Sequence, residues 1–172
     1  MDNNDKKMKM NHSENQKKGM KMKDMSHSNV KPTWVIHHPV NKTLYVAGNG
    51  SDEIIEIDAE NWRISKRLKT QKGPYNVEVT PDGRYLIATL KSVGSTAIWD
   101  LENNYDLTIL KNTTTVSHGI AISSDSKYAF VSLEGIGGDP GIVDVIRMED
   151  SKIISSVEVG KQAGGIAFWK AE

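Results

Sequence analysis

One pattern limits this chain more than any other: a strand–turn–strand unit that returns at a nearly constant interval. Thr43-Leu-Tyr-Val-Ala-Gly48 leads through a polar turn into Glu53-Ile-Ile-Glu-Ile-Asp58. The pairing recurs as Tyr85–Thr89 with Thr96–Asp100, and again as Tyr128–Ser132 with Ile142–Ile146. β-Branched and aromatic residues bounded by Gly, Asn, Asp and Ser make strands and tight turns. A preceding strand aligns as well. Val35, Val77, Ile120 and Ile166 occupy equivalent places, at spacings of 42, 43 and 46 residues. The longer last interval reflects extra residues in Glu134–Gly141. Fourth strands are expected around Ile64–Leu68, Leu107–Leu110 and Ile153–Val159.

A four-stranded unit of about 43 residues has the period of a propeller blade. The expected fold is therefore all-β. It is a partial β-propeller of three four-stranded antiparallel blades plus one extra strand, preceded by a disordered tail. The boundaries are 1–31 for a disordered Lys/Met/His-rich segment, then blades 32–73, 74–117 and 118–162, then a closing strand 163–172. Leu44-Tyr-Val-Ala-Gly-Asn49 with Ile54-Ile-Glu-Ile-Asp58, preceded by Pro32 and followed by Lys69-Thr-Gln-Lys-Gly73, resembles the YVTN-repeat β-propeller family. The resemblance covers residues 32–172. Trp99-Asp100 in the second copy and the missing Asp in the third depart from it. It implies a larger, seven-bladed parent of which this is the C-terminal part. Three blades alone do not close a ring, so either missing blades or self-association is expected.

Lys+Arg and Asp+Glu both number 22, so overall charge points to no nucleic-acid partner. The balance conceals a basic start, with eight Lys against four acids in residues 1–31. Those residues contain no Ile, Leu or Phe and cannot offset their ordering entropy by burial. Six of the seven Met lie there, as Met8, Met10 and His12, then Met20, Met22, Met25 and His27, with the initiator. Thioether and imidazole groups select Cu(I) over harder ions. The segment resembles the Met/His-rich stretches of exported copper-handling proteins, which implies Cu(I) as its cofactor or cargo. The alternative is a Lys/Met-rich linker, since Lys9, Lys21 and Lys23 would repel a cation.

No Cys is present, which excludes disulfides, thiolate metal sites and a Cys nucleophile. No apolar run reaches membrane-span length and no signal peptide is legible. Periplasm or cell surface is the expected location of a full-length parent. Strand meanders place the start of strand one and the loop between strands two and three on one face. That face gathers the candidate ligand-binding residues Trp34, Tyr75, Asn76, Lys91, His118, Glu134 and Asp139. Glu78 is expected to face a central channel, His37 and His38 to cap a turn, and Trp62, Trp99 and Trp169 to pack blades. No nucleophile–base constellation or phosphate loop is found. The expected role is a non-enzymatic binding or scaffold propeller, presenting protein or small-molecule ligands on the loop face. The alternative is a fragment of a propeller enzyme, of lactonase-like hydrolase or haem-d1 type.

Overall fold

In the computed structural model, which describes residues 29–170, twelve strands form three four-stranded antiparallel sheets in simple meander order. Blade one comprises β1 (Pro32–His37), β2 (Thr43–Gly48), β3 (Glu53–Asp58) and β4 (Arg63–Lys69). Blade two comprises β5 (Pro74–Val79), β6 (Tyr85–Leu90), β7 (Ser95–Asp100) and β8 (Asp106–Lys111). Blade three comprises β9 (Ser117–Ile122), β10 (Tyr128–Leu133), β11 (Pro140–Arg147) and β12 (Lys152–Lys161). All three blades expected from the repeat are present. The Met and His residues of the N-terminal segment lie outside the described residues.

The turn joining strands one and two is built alike in blades two and three. In blade two the Thr80 hydroxyl donates to Asp82 at 2.6 Å and accepts from the Tyr85 amide at 2.9 Å. Ser123, Asp125 and Tyr128 repeat this wiring at 2.7 and 2.9 Å. Blade one substitutes an imidazole. His38 Nδ1 accepts from the amides of Val40 and Asn41, both at 3.2 Å, so its Nε2 donates to the Gly83 carbonyl at 2.9 Å. His38 thus caps its turn, as expected, and also ties blade one to blade two. Gly83 takes a φ of +82°, and a Cβ there would stand 2.6 Å from the His38 ring. Both the backbone and the seam require glycine at that point.

Two apolar seams make the core. Between blades one and two lie Tyr45, Ala47 and Ile54 against Val77, Leu86 and Trp99, among others. Between blades two and three, Ile87 and Ile98 meet Ile120, Val131 and Ile146. A polar latch accompanies each seam. Thr33 Oγ1 donates to the Tyr75 carbonyl at 2.6 Å, and Thr89 Oγ1 donates to the His118 carbonyl at 2.8 Å. A third latch has the same form: Ser132 Oγ donates to the Gly164 carbonyl at 2.5 Å. The expected closing strand therefore occupies the seat of a next blade's inner strand, with Phe168 stacked on Phe130 at 6.2 Å between centroids. Among the described residues, 163–170 enter no sheet ladder.

Trp99 is buried in the first seam, but Trp62 is 73% and Trp169 is 90% exposed. The expectation that all three pack between blades is thereby corrected. A seam needs two faces, and neither exposed indole has a blade opposite it among the described residues.

A buried polar junction joins blades two and three. Asn112 Oδ1 accepts from Thr96 Oγ1 at 3.1 Å and Ser117 Oγ at 2.7 Å. Asn112 Nδ2 donates to Asp144 at 3.1 Å, and that fully buried carboxylate also accepts from the Thr113 amide and Ser156 Oγ. Removing the amide strands two hydroxyls and part of a carboxylate without solvent. Asn112→Ala is expected to cost about 2 kcal/mol of stability, measured by urea unfolding. A change under about 0.5 kcal/mol would mean that the junction contributes little.

Candidate functional site

Four of the seven candidate ligand-binding residues meet on the loop face. Tyr75 stands at the start of β5, His118 at the start of β9, and Lys91 opens the 3₁₀ turn Lys91–Val93 after β6. Glu134 follows β10. The Tyr75 and His118 rings lie 4.6 Å apart, tilted by 53°. Lys91 Nζ sits 4.6 Å from the Tyr75 centroid and 3.3 Å from Glu134 Oε2. Each side chain is partly exposed, so the group is a shallow surface and not an enclosed chamber.

Electrostatics keep the imidazole neutral. Burial lowers the His118 pKa, and the Lys91 ammonium lowers it further. The Glu134 carboxylate and the hydrogen bond to the Gly164 backbone oppose this without reversing it. At neutral pH the surface therefore presents a neutral imidazole and a phenol ring, with one cation paired to one anion.

The remaining candidates fall elsewhere. Asn76 is 5% exposed and its Oδ1 has no hydrogen-bond partner, so it belongs to the interior and not to the surface. A β-bulge between Pro74 and Val77 turns it inward. Trp34 lies beside Pro32, Val35 and Val46 along a groove of about 580 Å³ on the open side of blade one. Its indole lies near enough to Glu78 to favour that carboxylate's charged form. Asp139 is exposed at the loop tip, its amide donating to the Ile136 carbonyl at 3.2 Å.

Glu78 lines a second groove, of about 300 Å³, with Ile120, Ile166 and Phe168. Burial raises its pKa, partly countered by the Trp34 indole. It is half-buried, and its groove runs along the inner strands β5 and β9, the side on which a channel was expected. Among the described residues no group of three His, Asp or Glu is placed to hold a metal ion. Among the same residues no helix is long and apolar enough to cross a membrane.

Sequence reasoning missed the cluster around Tyr105. Its hydroxyl donates to Glu56, which also accepts from Ser65 Oγ at 2.7 Å, and Lys66 Nζ lies 3.5 Å from the Tyr105 centroid. Burial and the Glu56 carboxylate push the Tyr105 pKa up to about 12. The only signal was a Tyr in a polar turn, with nothing to indicate that it reaches back to the preceding blade.

Three blades of antiparallel meander, sealed by repeated latches, define a β-propeller-like protein. No family model matches the chain, and neither does any curated protein. Solved structures do resemble it. "Structure of U3-55K" and "Crystal structure of RRP9 WD40 repeats" each superpose with a TM-score of 0.71 at 15% identity. Each match covers 82% of this chain and 43% of the other. Hydrazine synthase of Kuenenia stuttgartiensis matches at TM-score 0.46 and 14% identity, over 80% of this chain and 52% of that one. The chain thus spans about half the length, or less, of these structures.

The sign of the His118 shift is open to measurement. Its titration, followed by the imidazole C2–H proton resonance, is expected to have a midpoint below the ordinary His value. Lys91→Met should raise that midpoint and Glu134→Gln should lower it. A wild-type midpoint at or above the ordinary value would contradict the site's electrostatics.

Proposed function

We propose that this chain acts as a non-enzymatic β-propeller binding module of the YVTN-repeat kind, engaging a protein or small molecule through its loop face. The convergence of Tyr75, Lys91, His118 and Glu134 from two blades carries the reading. Two rings in tilted contact and a cation over an aromatic face give directional contacts at little conformational cost. The likeness to a WD40-repeat structure supports a scaffold fold. The shallow surface lacks a paired nucleophile and base, and it suits recognition better than turnover.

Tyr75→Ala and His118→Ala test the surface. A partner recovered by crosslinking to the wild-type chain should be retained at least about tenfold less by each variant. The melting midpoint should stay nearly unchanged, since both side chains are partly exposed. Equal retention would remove the loop face as the binding surface.

The same reading assigns the N-terminal segment to Cu(I), through Met8, Met10, His12, Met20, Met22, Met25 and His27. Soft thioethers spaced two or three residues apart support it. A peptide of residues 1–31 is expected to compete with a colorimetric Cu(I) chelator, and changing these Met to Leu should abolish competition. An inert wild-type peptide would end the copper assignment and leave the loop-face reading untouched.

A further inference from the structure

The outermost strand of blade one differs in charge from its counterparts. β4 and the residues after it read Arg63-Ile-Ser-Lys-Arg-Leu-Lys-Thr-Gln-Lys72, with five cations and no acid. β8 holds one Lys, balanced by Asp106, and β12 has Lys at its two ends with Glu158 between them. Those two strands expose apolar side chains instead, among them Leu107, Ile109 and Ile154.

β4 is the outer edge of its meander and, among the described residues, pairs with β3 alone. Propeller blades stack by their faces, so this edge stays free in a ring of any blade number. It presents a row of unpaired amides and carbonyls. Lysines commonly guard such an edge against other strands. β8 and β12 are edges of the same kind and lack that protection, so guarding does not account for the charge on β4.

The charge is also largely uncompensated. Among the described residues only Arg67 and Lys69 of these five form ion pairs, and they share one carboxylate, Glu53, at 2.6 and 3.3 Å. Asp58, opposite Arg63, accepts from the amides of Glu60 and Asn61. The cations lie on both faces of the strand. Lys66 rests over the Tyr105 ring and Leu68 packs on the first seam, both toward blade two. Period-two alternation turns Arg67 and Lys69 the other way.

We propose that the outer edge of β4 takes up an acidic extended segment of a partner protein as an added strand of blade one. Main-chain bonds to the free edge supply affinity, and carboxylates beside the cations supply specificity. An added strand sends its side chains alternately to both faces and so meets cations on each. A flat anionic surface reaches one face only. The N-terminal segment does not fit, since residues 1–31 carry eight Lys against four acids. Nor does a second copy, whose β8 and β12 edges are not acidic. This edge is separate from the loop face and does not depend on it.

Fluorescence anisotropy on the full chain tests the inference with a labelled peptide of repeated Glu-Glu-Val-Val, which puts carboxylates on both faces of a strand. The peptide should bind, and added salt should weaken it. Arg63→Glu with Lys72→Glu should weaken binding at least about tenfold, while Lys161→Glu on β12 should leave it unchanged. Both variants keep residues 1–31, so the difference between them reads β4 and not the basic segment. Equal affinities in the two variants would overturn the site. A fully N-methylated copy of the peptide keeps its charge but donates no backbone hydrogen bonds. On the native chain it should bind at least about tenfold more weakly, and equal binding would overturn strand addition. A single-stranded DNA of matching charge that binds more tightly than the peptide, and is weakened by the same two substitutions, would overturn the acidic segment as partner.

Discussion

The hydroxyl-to-carbonyl latch at each blade seam is the contact around which this structure is arranged. Each sheet has only one partner face per side, and four strands of about six residues cannot bury themselves alone. The apolar seams supply most of the stabilisation, because area removed from water is the dominant favourable term in folding. They are non-directional, however, and would tolerate sliding. A hydroxyl on Thr33, Thr89 or Ser132 meeting a carbonyl on the next inner strand fixes how each blade sits on its neighbour. Blade one has alanine at position 47, where the others carry a hydroxyl, and Thr33 makes the latch from the adjacent strand instead. The contact is kept although its residue has moved.

The loop face inherits its geometry from those latches. The carbonyls that accept them belong to Tyr75 and His118, whose side chains form the candidate site. Pinning the backbone at these two points holds the rings 4.6 Å apart without any bond between the rings themselves. Lys91 and Glu134, from the loops that follow β6 and β10, then close the group across the seam. A recognition surface assembled this way is preorganised by the scaffold, which lowers the ordering cost of binding.

Much of the fold was legible because a repeat is a local signal. Period, turn chemistry and alternation all act within one blade, so the strands and turns could be read directly from the β-branched runs and the Gly, Asn, Asp and Ser clusters that bound them. The site was half legible. Topology alone put Tyr75, Lys91, His118 and Glu134 on one face. A bulge that topology cannot register removed Asn76 to the interior, and Trp34 went to the groove beside β1. Tyr105 was invisible because its partner Glu56 lies 49 residues away, in another blade.

The amino-acid sequence by itself determined that this chain makes three antiparallel meanders of one kind, since strand and turn preferences are settled by neighbours along the backbone. It also set the chemical character of the N-terminal segment, whose Met and His content needs no fold to be read. Only the tertiary structure decided which face of each strand is buried. Val35 and Val77 are equivalent in sequence, yet one is exposed and the other sealed, because among the described residues a blade stands opposite only the second. Exposure of an apolar residue depends on what lies across from it, and that is a property of the assembled fold.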